Sequence, residues 1–119
     1  MTAEHADKQL DRITGSFQEL QRNIDQKVDV LLDNSSVLDD TDTATIAESI
    51  QADMRSQQKY KDRLATLCES LSDAIARQQK IYETLASCSR NTNLESFTTR
   101  IQKLVNVHKR AQQTVLEVS

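Results

Sequence analysis

The side chains that usually carry catalysis or metal binding are scarce in this sequence. Among 119 residues there are two histidines (His5, His108), two cysteines (Cys68, Cys88) and a single glycine (Gly15). His5 stands in the polar first turn of the chain. His108 falls at a helix-packing spacing between Leu104 and Ala111, where an imidazole is either a pH-sensitive contact or a partly exposed seam residue. Zinc needs three or four Cys, His or carboxylate ligands at short spacing, and neither CxxC nor HxxxH occurs. Asp40-Thr41-Asp42 opens like a calcium loop, but that loop needs glycine at its sixth position and glutamate at its twelfth. Here those positions are Thr45 and Gln51. Phosphate loops need clustered glycines, and no serine has a base and an oxyanion hole suggested beside it. The sequence therefore predicts no catalytic, cofactor or metal site, and a protein that is not an enzyme.

Other polar residues gain interest from where they fall in the apolar pattern. Gln57 and Gln78 occupy positions of a packing seam that is otherwise mostly apolar, three heptads apart. Buried polar seam residues fix register and partner choice at some expense of stability. The competing reading is that helix two is exposed there, as Asp53 in the same seam suggests. Val37-Leu38 is a large apolar pair inside an acidic segment, placed either to tuck into the end of the bundle or to dock a partner. Ser35, Ser36, Thr41 and Thr43 share that acidic setting and are phosphorylation candidates that would alter the start of helix two. Two basic clusters, Lys59 to Arg63 and Lys103 to Arg110, read either as solvated faces or as contacts for an acidic partner or a lipid surface.

The elements that must position these residues are helices. Apolar residues from Ala3 through Leu10, Ile13, Phe17, Leu20 and Ile24 to Leu31 alternate at three and four positions, a heptad seam with Lys27 in a polar slot. Helix one is expected over about 3–32. An acidic linker, 33–42, is rich in turn and capping residues. Helix two is expected over about 43–89, capped by Asp42 or Thr41, or by a box at Thr45-x-x-Glu48. Its seam runs from Ile46 to Cys88 without a frame break, and a second row (Ala47, Met54, Cys68, Ile75, Tyr82) runs beside it. Thr92-x-x-Glu95 reads as a capping box for helix three, expected over about 93–118. Its seam is Leu94, Phe97, Ile101, Leu104, His108, Ala111, Val115 and Val118.

Composition agrees with this plan. One glycine, no proline and 3% aromatic residues leave little from which to build strands and tight turns. The predicted fold is all-α and a single helical domain over 1–119: an antiparallel, coiled-coil-like arrangement of three helices. Short connections make neighbours antiparallel. The result is either an elongated rod, with helices one and three overlapping near Tyr60 to Leu71, or a compact three-helix bundle if helix two bends. Spectrin-type repeats and the regulatory domains of membrane-fusion proteins share this broad plan, but no stretch here carries their residues.

Net charge is −3, with 15 basic against 18 acidic residues. A duplex nucleic-acid binder normally has a basic excess, so no nucleic-acid partner is expected. No run of about 18 apolar residues suggests a transmembrane span. Free thiols without a visible signal peptide read as intracellular, cytoplasmic chemistry. The expected partners are proteins bound through helix packing, or further copies of the chain. Leu64, Leu67, Leu71 and Ile75 are expected to form the central packing, with Gln57, Gln78, Val37 and Leu38 as further contacts. The function anticipated is that of a structural subunit of cytoskeletal, chromosome-segregation or vesicle-tethering machinery. The second expectation is a regulatory or chaperone-like module for a membrane-fusion or secretion partner.

Overall fold

The computed structural model describes residues 1–88 and 94–119. It contains three helices, α1 (Ala3–Asp33), α2 (Asp40–Cys88) and α3 (Leu94–Val118), and no strand among the described residues. The helices form a rod of 77 × 18 × 16 Å. At about 1.5 Å per residue, the 49 residues of α2 span about 74 Å, so α2 runs nearly straight through the whole length. The rod is the arrangement adopted, not the compact bundle, because α2 contains no proline or glycine to bend it.

The helix ends follow local chemistry. Thr2 caps α1, its hydroxyl accepting from the backbone N–H of His5 at 3.2 Å. Asn34 closes α1: its backbone N–H and its side-chain Nδ2 both donate to the carbonyl of Val30. The connection is shorter than the expected 33–42 linker, because α2 begins at Asp40 and not near Thr43. Asp39 is the cap: its carboxylate accepts from the Asp42 N–H at 2.7 Å and its carbonyl from the Thr43 N–H. Asp40 and Asp42 then lie in the first turn, where carboxylates are favoured by the helix dipole. Thr45 is no cap; its hydroxyl donates to the Thr41 carbonyl within the helix. The expected end of helix two at Ser89, the start of helix three at Asn93 and the Thr92-x-x-Glu95 box fall outside the described residues.

α1 packs antiparallel along the first part of α2, and α3 along its last part. Lys27 meets Asp53, Gln21 meets Gln57, and Phe17 lies beneath Lys61, so each step down α1 matches a step up α2. Residues Asp40 to Thr45 of α2 are all exposed and extend past the end of this pairing. That overhang displaces the three-helix overlap towards the C-terminal side of the expected Tyr60–Leu71. The buried cluster is built from Leu64, Leu67, Leu71 and Ala74 of α2, Ala6 and Leu10 of α1, and Leu104, Val107 and Ala111 of α3. Among the described residues, α1 and α3 lie beside one another at this waist. Here α3 packs on two helices at once, so its buried face widens to include Val107, which the expected seam left out. His108 is half-buried beside it.

Candidate interaction surface

On either side of the waist the rod is two helices thick, and its apolar seams are only partly covered. In the arm formed by α1 and the first part of α2, Ile46, Ala47, Ile50, Leu20 and Leu31 are half-buried, while Met54 is 56% exposed. In the arm formed by α2 and α3, Leu85, Phe97 and Ile101 are half-buried and Ile81 is 44% exposed. In the second row of α2, Cys68 and Ile75 pack against the core at the waist, Ala47 and Tyr82 are half-buried in the arms, and Met54 stands open. A helix pair leaves one side of such a face bare.

Polar residues set the alignment of this surface. Gln57 is 8% exposed, so helix two is not open to solvent there, and its Nε2 donates to Gln21 Oε1 at 2.9 Å. About one turn earlier on α2, Lys27 Nζ reaches Asp53 Oδ2 at 2.5 Å. The two polar slots that interrupt the facing apolar seams therefore satisfy each other. At the waist, Arg110 bridges from α3 to Asp7 and Asp11 of α1. These cross-helix partners were missed in the sequence, although opposite charges in facing seam slots were a usable signal. Gln78 is half-buried, and its Oε1 is buried with no hydrogen-bond partner. It lies with Arg100, Lys103 and Leu104 around a depression beside the start of α1.

The remaining sequence candidates fall as follows. Leu64, Leu67 and Leu71 are buried in the waist, and Ile75 is partly buried against them. Val37 is 81% exposed and Leu38 half-buried. The pair is thus split, one side chain over the bundle end and one in solvent. Of the Lys59–Arg63 cluster, Lys61 Nζ sits 5.9 Å from the Phe17 ring and Arg63 5.2 Å from that of Tyr60, distances that suit cation–π contact. Ser35, Ser36, Thr41 and Thr43 are exposed. A β-carbon at Gly15 would meet nothing within 4 Å, so no close approach inside the chain requires glycine there.

The chemistry this arrangement supports is packing. Among the described residues, no group of three or more His, Cys, Asp or Glu side chains converges as a metal site. Cys88 is exposed and Cys68 partly buried, and burial pushes the Cys68 thiol above its ordinary value. No helix among the described residues is long and apolar enough to cross a membrane. Set against protein-family models, curated proteins and solved structures, the chain has no match in any of the three.

Proposed function

We propose that the chain is a non-catalytic structural subunit that packs its two arms against partner helices and holds them in register along a rod. The observation that carries this reading is the partly covered apolar seam on both sides of the waist, with Met54 and Ile81 open to solvent. Ordinary surface hydrophobes are scattered singly. These two continue the packing pattern of α2, which points to a helical neighbour. Register along such a surface is supported by the Gln21–Gln57 and Lys27–Asp53 pairs, which fix the sliding position of α1 on α2.

Native gel filtration of extracts from expressing cells tests the proposal. The wild-type chain is expected to elute in an assembly larger than its own 13.5 kDa. A Met54→Glu, Ile81→Glu double variant should elute as the free chain while keeping its helical circular dichroism. Wild-type protein eluting alone would overturn the reading. The second expectation, a module that binds its target transiently, draws support from the waist, which gives the chain a core of its own. It differs in requiring a stable free monomer.

A further inference from the structure

We infer that the partner which covers both arms is a second copy of this chain, lying alongside the first and antiparallel to it. The inference rests on the proposal above and adds the identity and direction of the neighbour. Its basis is a separation of charge that the net value of −3 conceals. From Phe17 to Lys61, the arm built from the α1–α2 hairpin, the chain carries nine acidic residues and five basic ones. From Ala76 to Cys88 and from Leu94 to Lys103, the arm built from the end of α2 and the start of α3, it carries four basic residues and two acidic ones. The two arms lie on opposite sides of the waist in a rod 77 Å long.

Each arm therefore offers what the other lacks. Both are two helices thick and apolar along the seam. The acidic arm is flanked by exposed Asp29, Asp33 and Glu48, and the basic arm by exposed Lys80, Arg100 and Lys103. An antiparallel pair sets the acidic arm of each copy on the basic arm of the other, twice, about one two-fold axis near the waist. Such an isologous contact closes on itself and leaves no arm unpaired. A parallel pair would face like charges at both ends, separated by less than the Debye length of about 10 Å at 0.1 M salt. The size is sufficient: a strip 77 Å long and about one helix diameter wide, about 10 Å, covers about 770 Å² per copy. The total of about 1,500 Å² is that of a standard stable interface.

Sedimentation equilibrium and cross-linking of the full 119-residue chain test this. The expected result is a dimer that weakens at least tenfold between about 50 and about 500 mM salt. In a Cys68→Ser background, Cys88 is the one native thiol left, and Ser36→Cys adds one at the opposite end of the rod. A short bismaleimide should then join position 36 of one copy to Cys88 of the other, since neither can reach the other within one chain. Reversing the acidic arm (Asp29→Lys, Asp33→Lys, Glu48→Lys) or the basic arm (Lys80→Glu, Arg100→Glu, Lys103→Glu) should each give a helical monomer. Mixing the two variants should restore the dimer. A chain monomeric at about 100 µM, a dimer strengthened by salt, or links joining 36 to 36 or 88 to 88 would each overturn the inference. A purified monomer that still elutes in a large assembly from cells would remove the second copy and leave the structural-subunit proposal standing.

Discussion

Leu71→Ala puts the strongest demand on this account of the rod. Leu71 is 0% exposed and lies in the waist cluster, to which α1, α2 and α3 all contribute. Removing its isobutyl end deletes buried apolar atoms worth about 0.8 kcal/mol per methylene and opens a space that the walls fill only in part. Leu→Ala changes of this kind cost about 2–5 kcal/mol. The middle of that range applies here, because a wall built from three helices has limited room to collapse. A chain this size with so few fully buried side chains falls at the low end of about 0.05–0.15 kcal/mol per residue, roughly 6 kcal/mol in total. A loss of about 3–4 kcal/mol therefore removes more than half of the stability and lowers Tm by roughly 12–16 °C. Met54→Ala, at a side chain 56% exposed, should cost less than about 1 kcal/mol by the same reasoning. Urea unfolding followed by circular dichroism, at one protein concentration for both variants, measures the difference. Equal midpoints for the two would refute the waist as the centre of stability.

Three further outcomes follow from individual contacts. Gly15→Ala, placed in open space on α1, should raise stability by about 0.5–1 kcal/mol, read from the urea midpoint. In a double-mutant cycle, Lys27→Ala and Asp53→Ala should each destabilise, with a coupling of about 1 kcal/mol for this half-buried pair; additive losses would show that the pair does not hold register. Cys88 should be alkylated well before Cys68, with mass spectrometry of modified peptides as the readout, because Cys68 is packed against the core and its thiolate is disfavoured by burial. The sign for stability follows: a thiol raised in the folded state contributes fully below its ordinary value of 9.0 and loses that contribution as pH climbs past it.

The helices were legible because apolar residues at alternating three- and four-residue spacing admit one regular solution over so many turns. The rod was legible in outline from three lengths and two short connections. Register was not, since a seam tells which side of a helix is buried and not how far one helix slides along another. That distance is set by Asp39, which captures the Asp42 N–H and starts α2 three residues early, and by polar pairs such as Lys27 with Asp53. Val107 was missed for a related reason. A two-helix seam predicts a narrow stripe, and only the presence of α1 and α2 together at the waist buries the flanking position. The candidate surface was legible as a pattern of residues but not as an exposed area, because Ile50 and Leu71 belong to one seam and differ only in how many helices surround them.

The waist and the arms divide the work of the sequence between them. At the waist, small side chains such as Ala6, Ala74 and Ala111 are buried with leucines, so three helices approach closely and the chain acquires a core. In the arms the same heptad rhythm continues with larger residues, Met54, Ile81 and Phe97, that a single neighbouring helix cannot enclose. The polar slots follow the same division. Lys27 and Asp53 neutralise each other inside one arm, while Lys80, Arg100 and Lys103 stay exposed in the other. A sequence selected only to fold as a monomer would gain nothing from collecting acidic residues at one end and basic residues at the other, because intrachain attraction across tens of ångströms of rod is screened. Under the proposed antiparallel dimer, a copy turned end for end supplies the matching charge at both ends.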